Sequence, residues 1–413
     1  MADNMIIRDP VHSFISFEKN GLVNKIIDTA EFQRLKYIGQ LALFYFTYPD
    51  ALHSRFSHSL GTYWLSKRLA RTLEIPEEEE EKLSISALLH DIGHGPFSHT
   101  LEDKIMPGKR HEEISKDIIE SEEHSISPIL LEYDIEPKDI STIIRSGTNK
   151  PKYLHKLVSS QIDVDRFDYL LRDSLFTGNP HGRFDIERII HTIRLNDEKD
   201  EIYIDEGGWY AVEHYLNCRY QMYKQVYTHH STLAAEELLK KIIDRARHVH
   251  DRGGLSLDKT IDPILKEDIN LSEYIDIVDF DVLSLIRDVR HCEDDILSDL
   301  SKRFFERKLF KPIRIYNTSF MKLYDSKEKI RSIIEGKGYD YDYYNSEVGL
   351  KEIKAYQPYT PDPKDTEEFI FINSDCKKDI SLEIKSLGAI ATPDEALLFI
   401  PEDCREEVKK VLS

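Results

Sequence analysis

A run of apolar residues that ends in a histidine and an aspartate most constrains this chain. Residues 87–99 begin with Ala-Leu-Leu, continue with His90 and Asp91, and pass through Gly-His-Gly-Pro to His99. A buried charge at the end of an apolar helix needs a partner, and imidazole and carboxylate are both ligands of divalent metals. The alternative is a hydrogen-bonded histidine at a helix C terminus. Three histidines and an aspartate so close together favour a site, provided that other segments supply further ligands.

Two neighbouring helices are predicted to point one histidine each into the interior. In the predicted helix Arg55–Leu73, His58 shares a stripe with Thr62, Leu65 and Leu69 at spacings of four, three and four. A second helix begins after Pro76 with five glutamates, which suit its positive end, and its apolar stripe leads to His90. A single inward histidine is usually a hydrogen-bonded core residue. Two of them, one followed by an aspartate, favour a site.

A third segment adds carboxylates to a predicted helix over residues 153–174. Residues 160–173 hold four aspartates and two arginines within an otherwise apolar pattern. Ion pairs at i,i+4 spacing are the alternative, but they do not explain acids on several faces of an apolar helix. A spacing of four residues places Asp165 and Tyr169 on one face.

Together these segments predict a metal centre made of two histidines and two carboxylates: His58, His90, Asp91 and Asp165. Mixed nitrogen and oxygen ligands suit Mn, Fe, Zn or Mg, and such a metal assists hydrolysis by polarising a phosphoryl oxygen and acidifying water. Candidates for proton transfer are His94, His99, Glu102 and His111. Candidates for binding phosphate are Arg55, Arg166, Arg172 and Arg219, the last of which begins a stripe with Tyr223 and Tyr227.

Bulk composition restricts the class of partner. The chain has 413 residues, of which 40% are hydrophobic and 32% charged, as in ordinary globular proteins. Its formal net charge of −20 opposes broad binding to nucleic acid but allows a local basic pocket for a small anion. No apolar run approaches the roughly 20 residues that span a bilayer. The N terminus does not resemble a signal peptide, and four scattered cysteines indicate a reducing compartment, so we expect a cytoplasmic protein.

The overall pattern predicts a mainly α fold. Short extended segments are expected at residues 6–17 and 192–204, and long helices at 209–227 and 233–249. Strand-like runs near the C terminus occupy residues 313–316, 369–372 and 396–400. We therefore expect a helical core over residues 1–305 and a small α+β lobe over residues 306–413.

Three spaced motifs resemble a known family. They are Arg55-Phe56-Ser57-His58-Ser59-Leu60-Gly61, His90-Asp91-Ile92-Gly93-His94-Gly95-Pro96-Phe97-Ser98-His99 and Ile162-Asp163-Val164-Asp165-Arg166-Phe167-Asp168-Tyr169. In this order they resemble the HD-domain deoxynucleoside triphosphate (dNTP) triphosphohydrolases, closest to the branch of the mammalian SAM-and-HD-domain enzyme and its prokaryotic relatives, without a SAM domain. The resemblance runs from about Ile7 to about Ala246 and is loose beyond.

The resemblance implies roles for individual residues. It assigns the metal to the four ligands named above, and catalysis to His94 and His111 with a carboxylate between them, where Glu102 stands in place of the usual Asp. It assigns triphosphate binding to Arg55, Arg166 and Arg219, of which the second is often Lys in relatives. Deoxyribose contacts are implied for Gln40, Leu41, Tyr169, Asp173 and Tyr227.

Regulation and assembly are also implied by the resemblance. Some relatives bind a guanine nucleotide between subunits, and Asp28, Gln33 and Lys36 match positions used there, although the last is commonly Arg. His12 lies in a matching N-terminal Asp-Pro-x-His segment, in which Ser13 replaces the usual Gly. The resemblance also implies a homo-oligomer, for which we expect a tetramer.

The leading hypothesis is metal-dependent hydrolysis of dNTPs to deoxynucleoside and inorganic triphosphate. A second possibility is another HD-type activity, that of a phosphodiesterase, a pyrophosphohydrolase or a nuclease. A third is a non-catalytic protein that binds nucleotide or nucleic acid, which the unbroken ligand set and the net charge of −20 disfavour.

Overall fold

Helices account for most of the chain in this computed structural model. The structure describes residues 4–145, 151–196, 198, 200–255, 261–266, 269–316, 320–350, 356, 370–376, 378–384 and 395–412. Over these residues the helices are α1 (Leu22–Ile27), α2 (Ala30–Gln33), α3 (Arg55–Leu73), α4 (Glu77–Leu89), α5 (Glu102–Ile105), α6 (His111–Glu120), α7 (Ile126–Glu132), α8 (Pro137–Arg145), α9 (Tyr153–Val158), α10 (Val164–Thr177), α11 (Ile186–Thr192), α12 (Trp209–Met222), α13 (His230–Asp251), α14 (Asp262–Leu265), α15 (Leu271–Asp276), α16 (Asp279–Asp288), α17 (Asp295–Phe305), α18 (Phe320–Asp325), α19 (Lys327–Gly336) and α20 (Arg405–Leu412). The prediction of a mainly α fold is confirmed.

Seven short strands form three small antiparallel sheets in the described chain. The strands are β1 (Asn4–Asp9), β2 (Ser13–Glu18), β3 (Ile193–Asn196), β4 (Glu201–Ile204), β5 (Lys311–Tyr316), β6 (Ser346–Leu350) and β7 (Glu395–Ile400). β1 pairs with β2 and β3 with β4, as the two predicted extended segments require. In the C-terminal sheet β7 lies between β5 and β6. The small α+β lobe expected near the C terminus is therefore present.

The three helices that carry the candidate ligands pack directly on one another. α3 contacts both α4 and α10, and His58 lies fully buried in α3, as its stripe predicted. α4 begins after Pro76, and its acidic residues occupy the first turn. Because His90 and Asp91 follow the last residue of α4, they emerge at the point where α3 and α10 meet.

The single helix predicted over residues 153–174 is wrong, since the chain forms two helices there. α9 ends at Val158 and α10 begins at Val164. The carboxylate of Asp163 accepts hydrogen bonds from the backbone N–H groups of Ser160 (2.6 Å) and Arg166 (2.7 Å). These bonds cap α10 and hold the turn before it. The break places Asp165 in the first turn of α10, where its carboxylate reaches the ligand cluster.

The chain beyond residue 305 contributes to two hydrophobic cores. Ile313, Ile315 and the β7 residues pack in a core that extends to α13 and the N-terminal hairpin. Ile370, Ile372 and Ile380 pack instead in a second core with α9 to α12. The boundary between residues 305 and 306 stays a prediction.

The strand predicted over residues 369–372 is wrong for the residues that the structure describes. Phe369 lies outside them, and residues 370–372 make only isolated bridges, from Phe371 to Tyr203 and to Asp379. Both isoleucines of this segment are buried in the second core, which accounts for its apolar pattern without a sheet. None of the helices described above is long and apolar enough to cross a membrane.

Candidate active site

The four candidate metal ligands converge at one point. His58 Nε2 lies 3.1 Å from Asp165 Oδ1 and 3.3 Å from His90 Nε2. Asp91 completes the cluster, with Oδ2 at 3.7 Å from His58 Nε2 and Oδ1 at 3.3 Å from His90 Nε2. α3, the end of α4 and the start of α10 thus bring together groups that are up to 107 residues apart in the chain.

Hydrogen bonds behind the rings aim both Nε2 atoms at this point. His58 Nδ1 bonds Asp168 Oδ2 at 2.8 Å, and His90 Nδ1 bonds the carbonyl oxygen of Ala87 at 2.8 Å. With a metal bound, each ring would keep its proton on Nδ1 and turn the lone pair of Nε2 towards the cluster, as in histidines that ligate metals. The donor set, two imidazole nitrogens and two carboxylates, fits a divalent cation.

The electrostatics of the cluster favour a positive charge at its centre. Burial opposes a charged His58, but its bonds to Asp165 and Asp168 outweigh burial and raise its pKa to about 10. Burial likewise opposes a charged Asp91, yet Arg55 and His90 hold the pKa of its carboxyl well below the usual range. Ionised carboxylates that surround two imidazoles stabilise a bound cation in the same way as a proton.

Close helix packing explains the glycine in the first motif. A Cβ on Gly61 would lie 1.8 Å from Asp168 Oδ1 and 2.6 Å from Arg172 Nη2. Only a residue without a side chain lets α10 approach α3 closely enough for Asp168 to reach His58.

A second group of histidines lies beside the ligand cluster. The rings of His94 and His111 stack with centroids 3.8 Å apart, and His99 meets each edge-on at 5.1 Å. His94 Nε2 lies 3.3 Å from Asp91 Oδ1, which connects the two groups. Glu102 joins the other two rings, bonding His99 Nδ1 at 3.0 Å and His111 Nδ1 at 3.2 Å. The three histidines could themselves hold a metal ion, since one nitrogen of each lies within 4.8 Å of the others.

The acid–base states of this group differ. Burial, then Arg55 and His111, lowers the pKa of His94 well below its usual value, which keeps that ring neutral. Burial opposes ionisation of Glu102, but bonds to His111 and His99 outweigh it and lower the pKa of Glu102. The group therefore combines a neutral imidazole, that of His94, with an ionised carboxylate, that of Glu102.

A cavity of about 360 Å³ opens in front of both groups. The predicted site residues that line it are Gln40, Leu41, Arg55, Asp91, His94, His99, His111, Asp165, Tyr169, Asp173 and Tyr227. Tyr223 also lines the cavity, as expected if its stripe with Arg219 and Tyr227 faces the substrate. Lining residues that were not predicted as site residues are Ala42, Phe44, Phe97, Ser98, Thr100 and Glu236. His58, His90 and Glu102 lie behind this lining.

Hydrogen bonds hold the polar wall of the cavity in place. Asp173 accepts from the phenol of Tyr227 at 2.7 Å and bonds His53 Nε2 at 2.8 Å. Burial raises the pKa values of Tyr169 and Tyr227 well above the usual phenol value, so both remain donors at neutral pH. Over the described residues Gln40 Oε1 is buried without a hydrogen-bond partner, which leaves an acceptor for a ligand.

The four arginines predicted to bind phosphate differ in their access to the cavity and in their hydrogen-bond partners. Arg55 lines the cavity, with Nη1 on Asp91 Oδ2 at 2.5 Å and Nε on Ser98 Oγ at 2.9 Å. Arg166 and Arg219 do not line it, and each donates at 2.6 Å to a neighbour, Asp163 and Gln161 respectively. The prediction that Arg172 binds phosphate is wrong. Its side chain is fully buried and is paired with both Asp168 and Asp9.

The three residues proposed for a regulatory nucleotide lie near one another on the surface of the N-terminal helices. Lys36 Nζ donates to Gln33 Oε1 at 2.6 Å, and Gln33 Nε2 donates to the carbonyl oxygen of Ile27 at 2.7 Å. Asp28 is exposed and accepts from Asn24 at 2.6 Å. Their regulatory role stays a prediction.

Sequence reasoning missed three residues at the site. Asp168 stood inside the third motif, but its bond to His58 depends on how α3 and α10 cross. His12 lies 2.6 Å from Asp168 and 156 residues away in sequence; the Asp-Pro-x-His segment was its only signal. Glu236 lies in a Glu-Glu pair that looks like a solvated helix face.

Comparison with known proteins places this geometry in a family. The HD domain model matches residues 55–173, and the HD associated region model matches residues 184–335. The chain is 37% identical over 352 residues to the uncharacterized protein YwfO of Bacillus subtilis, covering 83% of this chain and 79% of that protein. It is 32% identical over 351 residues to the deoxynucleoside triphosphate triphosphohydrolase SAMHD1 homolog of Dictyostelium discoideum, covering 79% of this chain and 62% of that protein.

Solved structures agree with the sequence comparisons. A phosphohydrolase from Bacteroides thetaiotaomicron superposes with a TM-score of 0.81 at 31% identity, over 96% of this chain and 100% of that one. A hypothetical protein from Aquifex aeolicus shares the fold, with a TM-score of 0.77 at 24% identity over 99% of this chain and 100% of that one. Since both motif regions and nearly the whole fold match, the chain belongs to the HD-domain phosphohydrolase family.

Proposed function

We propose that this protein is a metal-dependent dNTP triphosphohydrolase, which cleaves a dNTP to deoxynucleoside and inorganic triphosphate. The observation that carries the proposal is the convergence of His58, His90, Asp91 and Asp165, of which the two aspartates line a cavity that Arg55 also lines. The likeness to a protein named as a dNTP triphosphohydrolase supports the choice of substrate. These four residues would hold a divalent cation, Mn, Fe, Mg or Zn, which would polarise the α-phosphoryl group and acidify water.

Proton transfer is assigned to the second group of histidines. Hydrolysis at the α-phosphorus forms a bond from water oxygen to phosphorus and breaks the bond to the 5′ oxygen, which must then take up a proton. Glu102 holds Nδ1 of His111 and of His99, so either ring can carry a proton that its Nε2 delivers. His94 remains neutral beside Asp91 and can take part in a hydrogen bond.

Substrate binding is assigned to the other walls of the cavity. Arg55 is pre-organised by Asp91 and Ser98 and offers a guanidinium to the phosphates. Arg166 and Arg219 would have to leave Asp163 and Gln161 to reach a triphosphate. Tyr169, Tyr227 and Asp173 would pack against the sugar, with Gln40 and Leu41 completing its pocket.

Product identity tests the proposal. Purified protein loaded with Mn or Mg is incubated with each dNTP and each ribonucleotide, and products are separated by ion-exchange chromatography. We expect tripolyphosphate and deoxynucleoside in equal amounts. Pyrophosphate or monophosphate would indicate one of the other HD-type activities instead, and no turnover of any nucleotide would contradict the proposal.

A ligand variant tests the metal assignment in the same assay. Asp165→Ala removes one of four ligands, so we expect loss of bound metal and a fall in kcat of at least 100-fold, on the scale of losing an essential group. Glu132→Ala is the matched control, because that glutamate lies on the surface in an exposed pair with Lys25. Unchanged metal content and turnover in Asp165→Ala would refute the assignment.

Assembly and location belong to the same proposal. A homo-oligomer, with a tetramer as the specific expectation, follows from the family resemblance. A cytoplasmic location is supported by the four cysteines, all of which are free. Nucleic acid is not favoured as a partner because of the net charge of −20.

A further inference from the structure

The candidate ligand His58 is hydrogen-bonded to the buried carboxylate of Asp168, which also bonds a second histidine, His12. Asp168 Oδ2 bonds His58 Nδ1 at 2.8 Å, and Asp168 Oδ1 bonds His12 Nε2 at 2.6 Å. The side chains of His58 and Asp168 are fully buried, and that of His12 is 5% exposed. His12 belongs neither to the matched HD domain region nor to the cavity lining.

His12 is brought to Asp168 by the turn of the N-terminal hairpin. One oxygen of Asp9 accepts from the backbone N–H groups of Val11 (2.9 Å) and His12 (2.8 Å). The other oxygen of Asp9 accepts from Arg172 at 2.8 Å, which ties the turn between β1 and β2 to α10. The hairpin therefore holds the His12 ring against α10 through an ion pair that is itself buried.

Arg172 by itself does not account for this arrangement. Its Nε and Nη2 donate to the two oxygens of Asp168 at 2.8 and 2.9 Å, which already pairs the carboxylate with a cation. The bond from His12 is a further one on Oδ1, opposite the oxygen that holds His58. Arg172 and Asp168 lie on the same helix, whereas the bond from His12 joins the carboxylate to the N-terminal hairpin, and the direction of the His58 ring follows the carboxylate.

We propose that His12 and Asp168 act as positioning residues for His58, so that the N-terminal hairpin sets the metal affinity of the site. His12 donates from Nε2 to Asp168, Asp168 accepts from Nδ1 of His58, and Nε2 of His58 then faces the cluster. The inference rests on the proposed function only in taking His58 as a metal ligand.

Three variants at His12 distinguish the hydrogen bond that this residue donates to Asp168 from the packing of its ring. His12→Phe keeps a ring but has no donor, His12→Gln keeps a donor of similar reach, and His12→Ala removes both. Ile6→Ala is the matched control, since Ile6 lies on the same hairpin and is 63% exposed. Each full-length protein is stripped with a chelator, checked for fold by circular dichroism, and titrated with Mn against a competing indicator.

We expect His12→Phe and His12→Ala to weaken the apparent Kd for Mn by about 10- to 100-fold, the range found when groups that orient a metal ligand are lost. His12→Gln should recover most of the affinity, and Ile6→Ala should match the wild type. Wild-type affinity in a folded His12→Phe protein would overturn the inference. If His12→Phe and His12→Ala fail to fold, His12→Gln provides the test. An apparent Kd for Mn that is weaker than that of the wild type by about tenfold or more in this variant would contradict a role for the hydrogen bond that His12 donates.

The outcomes also separate this inference from the proposed function. A wild-type protein that binds Mn but releases no tripolyphosphate contradicts the proposed function and leaves the role of His12 standing. Tripolyphosphate release together with an unchanged Kd in His12→Phe contradicts only the role of His12. A wild-type protein that binds no metal overturns the inference.

Discussion

Glu236 on α13 lines the cavity with an acid whose ionisation is unfavourable. Burial raises the pKa of its carboxyl to about 7, although Lys240 and the hydroxyl of Thr100 oppose the shift. A glutamate in this state is partly protonated at neutral pH and can donate or accept a hydrogen bond. The same residue also makes protein stability depend on pH.

Replacing Glu236 should change that dependence in a defined direction. The ordinary pKa is 4.5 and the folded value about 7, so the folded state holds the proton more tightly. Its contribution to stability is complete below pH 4.5 and is lost as the pH rises through 7. We expect Glu236→Gln, which stays neutral, to match the wild type near pH 5 and to exceed it at pH 8 by about 1–3 kcal/mol.

Urea unfolding of the chelator-treated proteins at both pH values measures this difference. Glu132→Gln is the control, because it makes the same substitution at an exposed position on α7. If Glu236→Gln were more stable than the wild type by the same amount at pH 5 and pH 8, the carboxyl of Glu236 in the wild type would not titrate as expected.

At the scale of elements, the crossing of α3 and α10 decides whether the site can form. The two helices approach at Gly61, and the carboxylate of Asp168 occupies the space where a side chain would be. α10 in turn begins where Asp163 caps it, which places Asp165 near His58. The sequence pattern predicts α3, but it predicts neither the start of α10 nor the separation between the two helices.

Gly61→Ala tests the crossing. The added methyl would meet Asp168 Oδ1 at 1.8 Å, so either the helices separate or the carboxylate moves away from His58. We expect a loss of at least about 2 kcal/mol in the free energy of unfolding, together with weakened metal binding. Both are measured by urea denaturation and metal titration.

Gly336→Ala is the matched control, because a Cβ there meets nothing within 4 Å at the end of α19. It should leave stability unchanged or raise it by up to about 1 kcal/mol through the helix preference of alanine. Equal effects of the two substitutions would show that close packing is not the reason for Gly61.

At the scale of the whole molecule, the C-terminal part of the chain belongs to both cores. The sheet of β5, β7 and β6 lies in the first core, while Ile380 is fully buried in the second, among residues of α9 to α12. Phe371 bridges to Tyr203, and the backbone N–H of Ile204 donates to the carbonyl oxygen of Phe371 at 2.7 Å. Loss of C-terminal packing should therefore weaken the helices around the site.

Ile380→Ala should lower the free energy of unfolding by about 2–4 kcal/mol, as large-to-small changes in a packed core do. Leu382→Ala is the control, since Leu382 lies in the same short helical turn and is 59% exposed. Hydrogen exchange should show lost protection in α12 for the first variant only. The same unfolding midpoint in both variants would contradict a structural role for this segment in the second core.

Most of the helices, and the chemical character of the site, could be predicted from residue types and local spacing. Local periodicity placed His58 and His90 on apolar faces, and the residue types around them predicted a metal and a phosphate ester before any contact was known. This worked because helical spacing and ligand chemistry are properties of neighbouring residues. The same reasoning predicted β5 and β7 of the C-terminal sheet but missed β6, and it predicted a strand near Phe371, where an apolar run packs without a ladder.

The pairing of charged groups depends on the tertiary fold and could not be predicted from local patterns. Arg172 and Arg55 look alike in sequence, yet Arg172 is buried on Asp168 and Asp9, while Arg55 lines the cavity. Asp168 and His12 meet across 156 residues, and no local pattern records such a contact. The physical reason is that the cost of burying a charge depends on the partners that the fold brings to it, whereas helical periodicity depends only on the chain nearby.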